Sequence, residues 1–524
     1  PLEVDVKVLE TFTRGLIDMK NYFRKYLDSE PVSFKERVRG TAAYDYAVEY
    51  PELPDAETYD PILVHAGEGD AALWKILRQK IIERSDKIDV WYEAPARHMI
   101  LSDNQAAVGM QIEKDGDYYN IGATNGVVLA SGGFENSEEK IRDYLQEPYL
   151  SPIGTLYNYG AGIDLGLEAG ASLWHMRSYE SLGQLHGMSV RKEKGQRSEH
   201  ALSVFWKAVC QGSTFTVGDD GTRYFNEDDL NRHGHIYNHG FWRVPLSQIE
   251  PYLICDKKQY DKIADKNDPF YVPGFLDNAV KANSIKSLAE RIGKKPEILA
   301  RTVEEFNTCA KHGVDYGFHR NPETMTPFDE NGPYYAVALR QNMLNTQGGP
   351  RRNENSEVLN PDKKPIPHLY GAGELGAPFV NEYTSGGNLA DCLISGKIAG
   401  ENAAQVKTDD VEKLTESSER KAVPGSDIRE EKFEAGTNQF IGKSTQGMGN
   451  ELVVRVTIGN DQAIQKIEIL KSSETETGNQ SLTQLPQEMI DRNTYNVDAV
   501  SGASATSWAL KDAVKEAVEK AKNK

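Results

Sequence analysis

The run Gly126–Glu135, GVVLASGGFE, constrains the fold more than any other stretch of this chain. Its apolar and β-branched residues do not alternate with polar ones, which is typical of a parallel strand that is buried on both faces. The glycine pair that follows marks a turn where the backbone closely approaches something bulky. That neighbour can be a ligand or simply another strand, and the run by itself leaves both open.

Length and charge narrow the class of protein. A chain of 524 residues is too long for one core and predicts three or more folding units. Its net charge of −19 disfavours nucleic acid or an anionic membrane surface as the main partner. The composition is that of a soluble globular protein, and no apolar run approaches the length of a membrane span.

Cysteine and histidine spacing predicts no metal centre. The four cysteines are far apart: Cys210, Cys255, Cys309 and Cys392. Without Cys-x-x-Cys, attached c-type haem and a recognisable iron–sulfur cluster are excluded, so any electron carrier is expected to be flavin. His233, His235 and His239 fit no compact tetrahedral site without further ligands, and hydrogen-bonded or solvated imidazoles are the better interpretation.

Periodicity predicts the elements outside this run. Helices are expected at residues 9–25, 70–84, 390–404 and 508–520, and strands at 87–92, 107–112, 118–121, 451–458 and 463–470. Pro486 is expected to open a short helix that ends near Asp491. Residues 406–436 are rich in charged residues and serine, which is typical of a solvated linker.

The stretch DAVSGASAT, residues 498–506, precedes the last helix. A helix N-terminus offers N–H groups and a positive dipole end to a phosphate, and Gly502 permits close approach. An ordinary Ser/Thr-rich helix cap is the alternative.

This stretch resembles the flavinylation motif of the FMN-binding domain. In that family a flavin transferase links FMN through its phosphate to the hydroxyl that here falls on Ser504. Residues 473–477, SETET, are similar to the ETxG-like stretch of the same family. The resemblance implies covalent FMN, a flavin transferase as partner, and an FMN site of Asp498, Ser501, Gly502, Ala503, Ser504 and Thr475.

A second resemblance covers roughly residues 1–405. VVLASGGFE looks like the VVLATGGF signature of FAD-dependent reductases related to the fumarate reductase flavoprotein and to 3-ketosteroid-Δ1-dehydrogenase. LYGAGELG (369–376) matches the family's LYAAGE stretch, and YTSGGNL (383–389) matches the motif that closes on the isoalloxazine. The resemblance implies FAD held by Ser131, Gly132, Gly133, Glu374, Gly386, Asn388 and Leu389.

For two of these cofactor-binding groups, simple chemistry explains how they would contact FAD. Glu374, after a strand and Gly-x-Gly, is placed to accept hydrogen bonds from sugar or ribityl hydroxyls. N–H groups at residues 387–389 can stabilise the negative charge of a reduced flavin. A glycine-rich helix start used only for packing is the alternative.

One departure from the family concerns the pyrophosphate of FAD. The family opens with a strand, Gly-x-Gly-x-x-Gly and a helix, and no such element precedes Val127. Either the sequence lacks its N-terminal portion or another chain supplies that element, so FAD binding by this chain alone is in doubt. Pro1 opens neither an initiator sequence nor a signal peptide, and export is left open.

The resemblance places a mobile cap at residues 146–327. YNYGAGIDLG (157–166) resembles the family's TGDGI helix start, and DDGTRYFNE (219–227) its GKRFVNE hairpin. An arginine shortly after this hairpin protonates the substrate carbon in fumarate reductases, and Arg232 is the nearest match, one residue further along. Tyr237 is a second candidate acid, and a surface arginine is the alternative for Arg232.

The substrate clamp of fumarate reductases is replaced. The position of their carboxylate-binding His is Asn345 here, followed by Thr346, and the position of their carboxylate-binding Arg is Thr384. Because Asn345 and Thr384 are neutral, a small dicarboxylate substrate is disfavoured. Tyr383 with Gly387 resembles the pair that holds a carbonyl oxygen in ketosteroid dehydrogenases, a two-donor oxyanion hole. Tyr383 as a packed aromatic is the alternative. Arg351 is free to meet a carboxylate or a cofactor phosphate.

These resemblances predict an α/β and α+β multidomain fold: a Rossmann-like FAD domain (1–145 and 328–405) with an inserted cap, a linker and a small α+β FMN-binding domain (437–524). The expected activity is transfer of electrons from an external donor through FMN and FAD to a C=C bond conjugated to a carbonyl or carboxylate: an enone, a urocanate-like acid or an arylacrylate. A 3-ketosteroid-type dehydrogenase, and an FMN electron carrier without a substrate site, are the alternatives, and in each case the protein is expected to be bacterial.

Overall fold

The computed structural model describes residues 5–41, 50–64, 71–147, 150–193, 195–198, 202–229, 232–238, 241–243, 248–380, 383, 386–405, 424–428, 431–449 and 451–523. The helices are α1 (Val6–Tyr26), α2 (Phe34–Val38), α3 (Ala72–Ile82), α4 (Glu138–Lys140), α5 (Ala161–Glu168), α6 (Gln184–Gly187), α7 (Lys257–Ile263), α8 (Ile285–Arg291), α9 (Pro296–His312), α10 (Gly387–Ala404), α11 (Glu476–Asp491) and α12 (Ser504–Lys522).

The strands are short in the first half of the chain and longer towards its end. They are β1 (Val32–Ser33), β2 (Ile62–Leu63), β3 (Ala96–Leu101), β4 (Ala107–Lys114), β5 (Asp117–Gly122), β6 (Val127–Leu129), β7 (Ser151–Pro152), β8 (Leu173–Trp174), β9 (Tyr179–Glu180), β10 (Met188–Val190), β11 (Thr214–Val217), β12 (Ile236–Asn238), β13 (Phe241–Arg243), β14 (Tyr252–Asp256), β15 (Val280–Ala282), β16 (Tyr334–Met343), β17 (Asn345–Thr346), β18 (Gly349–Pro350), β19 (Glu357–Leu359), β20 (Pro365–Gly371), β21 (Gln439–Ser444), β22 (Leu452–Ile458) and β23 (Ile464–Lys471).

The chain divides into two compact units. The first comprises Pro1–Ile17, Val38–Pro61 and Pro95–Lys421, and the second Asp18–Arg37, Ile62–Ala94 and Ala422–Lys524. No described helix is long and apolar enough to cross a membrane. In the described part of the chain, no group of three or more His, Cys, Asp or Glu side chains is placed to hold a metal ion.

The predicted parallel strand is present in the first unit, but it is not buried on both faces as expected, because Val128 is 38% exposed. β6 pairs in parallel with β20, with Val127 opposite Leu369, and β19 completes a three-stranded sheet. Leu129 and Leu369 are buried in one core with Ile163 of α5. The carboxyl ends of β6 and β20 therefore meet at one edge of the sheet, which is where ligands bind in α/β folds.

A second, six-stranded and mostly antiparallel sheet is built around β16, with which β7 pairs in parallel. Its strand order is β10-β16-β14-β11, and its two faces pack on separate apolar cores. One core surrounds Trp206 and the other Phe306, and both side chains are buried. This sheet carries the segments that lead to residues 219–236.

The C-terminal part of the second unit is a small α+β domain. Strands β21, β22 and β23 form an antiparallel sheet, and α11 and α12 pack on it through residues such as Val454 and Leu510. Multidomain α/β and α+β architecture, with this small separate domain, confirms the predicted fold class.

Three local predictions were wrong. Residues 87–92 are not a strand. Asp427 N–H donates to Val90 O (2.7 Å) and Trp91 Nε1 donates to Pro424 O (3.0 Å), but these few hydrogen bonds to residues 424–428 do not form a strand ladder. Pro486 does not open a helix; α11 begins ten residues earlier, where Thr475 Oγ1 accepts from Gly478 N–H (3.0 Å). Residues 219–227 form a turn with a single bridge instead of a hairpin.

The linker prediction lies mostly outside the described residues. Residues 406–423 are not described, whereas 424–428 lie in the second unit beside 90–92.

Packing of α12 on β21 supports one stability prediction. A Cβ on Gly442 would lie 1.8 Å from Ala513 O, so Gly442→Ala must push the helix from the sheet. We expect this substitution to lower the free energy of unfolding of the small domain by about 1–3 kcal/mol. Gly436→Ala is the control, since its Cβ would approach only the Gln439 side chain, at 3.2 Å. Equal urea midpoints for the two variants would contradict this packing argument.

Candidate functional site

At the carboxyl ends of β6 and β20, two glutamates from distant parts of the chain meet. Thr346 N–H donates to Glu135 Oε1 (2.9 Å) and to Glu374 Oε1 (3.1 Å), and Thr346 Oγ1 accepts from Phe134 N–H (3.0 Å). A Cβ on Gly133 would lie 2.1 Å from Thr346 Oγ1 and 2.6 Å from both carboxyl oxygens. Glycine is therefore required here because the glutamates and the threonine occupy the space.

Both carboxyl groups accept from the same Thr346 N–H, and two buried carboxylates this close repel each other, so the pair favours holding a proton. Burial, together with the hydrogen bond from and the charge of Glu135, raises the pKa of Glu374 well above its ordinary value of 4.5. Burial opposes the charged form of an ionisable group, so it raises the pKa of a carboxylic acid such as Glu374. Glu374 therefore holds its proton to a higher pH than an ordinary carboxyl group does.

This pair makes the stability of the first unit depend on pH. Because the folded pKa of Glu374 lies above its unfolded value, the pair's contribution is complete below pH 4.5 and is lost as the pH rises through the raised pKa. Glu135→Gln removes the like charge and can still donate to Glu374, so we expect it to flatten this loss. Thermal melts from pH 4 to 9 measure it, with the exposed Glu138→Gln as control. Parallel pH profiles for wild type and Glu135→Gln would show that the carboxyl groups are not coupled.

The start of α10 lies against two aromatic rings. A Cβ on Gly387 would lie 3.1 Å from the Tyr383 ring and 3.2 Å from that of Phe379, so any larger residue here would require the rings to shift. Asn388 N–H donates to Tyr383 Oη (3.3 Å), while Asn388 Oδ1 is buried with no hydrogen-bond partner among the described residues. Leu389 is 60% exposed.

Tyr383 and Arg232, predicted as catalytic, lie in one cluster of side chains. Arg232 is buried, its Nη2 lies 3.0 Å from Glu52 Oε2, and its guanidinium lies 4.8 Å from the centroid of the Tyr50 ring. Tyr50 Oη donates to Tyr383 O and accepts from Tyr383 N–H, both at 3.1 Å. The His233 ring meets the Tyr383 ring edge to face at 4.6 Å.

Electrostatics keep this cluster charged. Burial by itself would raise the pKa of Glu52, but hydrogen bonds from its own backbone and from Arg232 outweigh it and lower that pKa. Glu52 is therefore an anion beside the Arg232 cation. Since the Glu52 side chain is 47% exposed and that of Arg232 only 8%, the carboxylate connects a buried guanidinium to solvent.

Other predicted residues stand apart from this cluster or outside the described structure. The Arg351 guanidinium lies 5.5 Å from the Trp174 ring centroid, and within the described residues no contact joins it to Arg232 or Tyr383. Ser131 Oγ accepts from Gly162 N–H (3.0 Å) and so holds the start of α5. Tyr237 lies in β12 but its side chain is not described, and Thr384 is outside the described residues.

The predicted FMN site lies at the start of α12. Ser504 is the first residue of this 19-residue helix and is exposed, as are Asp498 and Ser501, while Ala503 is buried. Gly502 has φ +80°, a conformation that favours glycine. The first N–H groups of a helix lack acceptors within it, so an anion at Ser504 would meet donors.

Glu474 holds the surroundings of Ser504 together. Its Oε2 accepts from Thr506 Oγ1 (2.6 Å) and Met448 N–H (2.9 Å), and its Oε1 from Gly449 N–H (3.0 Å). A Cβ on Gly478 would lie 2.4 Å from Thr506 Oγ1, so the starts of α11 and α12 touch.

Sequence reasoning missed the acidic members of these sites. Glu52, Glu135 and Glu474 were not predicted as site residues, although Glu135 and Glu474 stand inside motifs that were identified. Glu52 gave no signal, because 180 residues separate it from Arg232.

The family model described as FAD binding domain matches residues 34–434, which is more than half of the chain. The chain belongs to this FAD-binding family. A second model, FMN-binding domain, matches residues 447–519 and covers the small domain with Ser504. The two matches indicate FAD and FMN as cofactors.

Relatives of this FAD-binding protein include reductases and a steroid dehydrogenase. It is 28% identical over 327 residues to a probable fumarate reductase of Shewanella frigidimarina, covering 61% of this chain and 50% of the relative. It is 27% identical to the NADH:acrylate oxidoreductase of Vibrio harveyi (59% and 30%), and 26% to a 3-oxosteroid 1-dehydrogenase of Mycolicibacterium smegmatis (53% and 52%). The chain thus spans about half or less of these relatives.

Solved structures share the fold. A flavocytochrome c3 fumarate reductase in an open conformation superposes with a TM-score of 0.53 at 23% identity, covering 78% of this chain and 65% of that one. The 3-ketosteroid Δ1-dehydrogenase of Sterolibacterium denitrificans gives 0.56 at 19% identity, covering 76% and 86%.

The residues present fit both cofactors in part. Exposed Leu389, the unpartnered Asn388 Oδ1 and the glycine-rich strand ends suit the ring and sugar of FAD in this FAD-binding chain. Exposed Ser504 at a helix start suits the phosphate of FMN. For the pyrophosphate of FAD the described residues offer no glycine-rich cradle between a strand and a helix.

Proposed function

We propose that this chain reduces a C=C bond conjugated to a carbonyl or carboxylate, with electrons entering at FMN on Ser504. The observation that carries the proposal is the Arg232–Glu52–Tyr383 cluster beside the start of α10. When bound, the flavins supply the electrons and the hydride that such a reduction needs. The named activities of the fumarate, acrylate and 3-oxosteroid relatives support this reaction class.

Tyr383 and the first N–H groups of α10 are assigned to the carbonyl end of the substrate. Tyr383 Oη accepts from Asn388 N–H, and a phenol oxygen can accept one hydrogen bond while its O–H donates another. With the N–H of Gly387 at the helix start, it would supply two donors to the oxygen on which negative charge develops.

Arg232 is assigned to proton delivery to the α-carbon. An arginine can donate a proton when an adjacent carboxylate shares the cost, and Glu52 lies 3.0 Å from its Nη2. Half-exposed Glu52 then takes up a proton from solvent and restores Arg232. His233, against Tyr383, keeps the proton-donating end of the cluster beside the carbonyl-binding end.

Anaerobic turnover tests the proposal. The protein loaded with both flavins, given reduced viologen and a panel of enones, arylacrylates and fumarate, should oxidise the viologen with conjugated alkenes. Fumarate should be a poor substrate because Asn345 provides no cation. Oxidation of a saturated ketone by an acceptor dye, without alkene reduction, would instead identify a dehydrogenase. Reduction of FMN without turnover of any alkene would leave an electron carrier.

A further inference from the structure

The short ladder of β17 and β9 separates two polar sites. Asn345 pairs with Glu180 and Thr346 with Tyr179, and Gln347 N–H extends the ladder by donating to Ser178 O (3.0 Å). Side chains alternate along extended backbone, and Thr346 contacts Glu135 and Glu374. Asn345 and Gln347 therefore face the opposite side, together with Glu180.

That side presents oxygen acceptors. Gln347 Nε2 donates to Glu180 Oε1 (3.4 Å) and Asn345 Nδ2 to Thr346 O (3.4 Å), so both amide oxygens point away from these partners. Gln347 Oε1 and Asn345 Oδ1 are buried, and in the described part of the chain neither has a hydrogen-bond partner. Buried polar atoms are almost always paired in folded proteins.

His235 adds a third acceptor. Its Nδ1 lies 3.2 Å from Arg232 O and 3.6 Å from Glu180 Oε2, both acceptors, so Nδ1 carries the hydrogen. Burial lowers the pKa of His235 to about 4, which leaves the ring neutral and Nε2 with a lone pair. Nε2 is buried and likewise has no partner among the described residues.

The four residues Asn345, Gln347, Glu180 and His235 form what we name the acceptor face. It lies next to the catalytic cluster, because His235 N–H donates to Arg232 O (3.0 Å) and Ser181 N–H to His233 O (2.9 Å). The three acceptor atoms that have no partner among the described residues, Gln347 Oε1, Asn345 Oδ1 and His235 Nε2, would repel a second carboxylate. A group with N–H or O–H donors would satisfy them.

We propose that the acceptor face binds a hydrogen-bond donor at the end of the substrate away from its carbonyl. This inference rests on the proposed reductase function and narrows its substrate class. The substrate is then a conjugated acid or ketone whose far end carries an N–H or O–H group, such as an azole or a phenol. A substrate that lacks this group would leave buried acceptors unpaired, which is the strongest basis for discrimination between analogues.

Two pairs of probes test this inference with the protein loaded with both flavins. One pair is 4-hydroxycinnamate and cinnamate; the other is 3-(imidazol-4-yl)acrylate and 3-(thien-3-yl)acrylate, whose rings are similar in size. We expect kcat/KM for the donor-bearing member to be higher by on the order of 100-fold in at least one pair. Equal values within both pairs would overturn the inference and leave the reductase standing. No turnover of any probe would overturn the reductase.

A binding measurement separates the acceptor face from the chemistry. Titration calorimetry with 3-(4-hydroxyphenyl)propanoate and 3-phenylpropanoate should show the same preference without any reduction. The saturated forms of the imidazole and thiophene acids are compared in the same way. If the donor-bearing and donor-free acids bind with equal affinity in both pairs, water satisfies the acceptors and the inference is wrong.

Gln347→Met removes one acceptor at nearly constant volume and should reduce the donor preference about tenfold or more. Gln259→Met is the matched control. Gln259 lies in α7 and is also buried, but its Nε2 donates to Ala208 O, and it has no part in the acceptor face. If Gln347→Met does not fold, Asn345→Leu replaces it. Loss of preference in Gln259→Met as well, or retention in Gln347→Met and Asn345→Leu, would contradict the assignment.

Discussion

Ser504→Ala is expected to abolish covalent FMN incorporation when the chain is produced together with a flavin transferase. Ser504 is exposed at the first position of α12, where helix N–H groups favour a phosphate, and alanine has no hydroxyl to form the phosphoester. Intact mass of the purified chain measures the change: one FMN per chain in the wild type and none in the variant.

The control for this experiment is Thr477→Ala. Thr477 is an exposed hydroxyl residue whose Cγ2 lies 3.9 Å from the Cβ position of Gly502, so it shares the surroundings of Ser504 without being the predicted acceptor. It should retain full FMN incorporation. Covalent FMN incorporation by Ser504→Ala at the wild-type level would show that the flavin is attached to another residue. The proposal that electrons enter at FMN on Ser504 would then be wrong.

Arg232→Met is expected to reduce kcat for alkene reduction by about 10²- to 10⁴-fold, the usual contribution of a positioned acid. KM should change little, because the carbonyl end of the substrate is assigned to Tyr383 and the start of α10. Stopped-flow oxidation of the reduced protein by the alkene measures the step directly, provided that flavin content matches the wild type.

Arg191→Met provides a closely matched control. The Arg191 guanidinium also lies 4.8 Å from a tyrosine ring, that of Tyr252, and pairs with Glu250 at 3.8 Å, but it belongs to the β16 sheet. Its loss should affect stability and leave kcat within a few fold. Similar losses in both variants would indicate that Arg232 acts through folding, and Tyr237 would become the acid to test.

The sequence alone predicted those features that depend on motifs formed by consecutive residues. GVVLASGGFE contains the predicted parallel strand, followed by the predicted close approach at Gly133, and the stretch at 498–506 leads into a helix, because local hydrophobicity and glycine content determine both. Family membership and both cofactors follow from the same continuous motifs.

The start of one helix and the existence of one strand were not predicted correctly. The helix predicted to open at Pro486 begins at Glu476, because Thr475 caps it and tertiary contacts of its apolar face tolerate the proline. Residues 87–92 have strand composition, but a strand needs a neighbouring ladder and the described residues provide only scattered bonds.

Only the tertiary structure decides which side chains act together. Glu135 meets Glu374 across 239 residues through their shared bond with Thr346, and Glu52 meets Arg232 across 180. The acceptor face likewise depends on the pairing of β17 with β9 and on a turn at 232–235. Sequence determined which chemical groups this protein carries, since motifs are local; their partners depend on long-range strand pairing and burial, which local patterns do not encode.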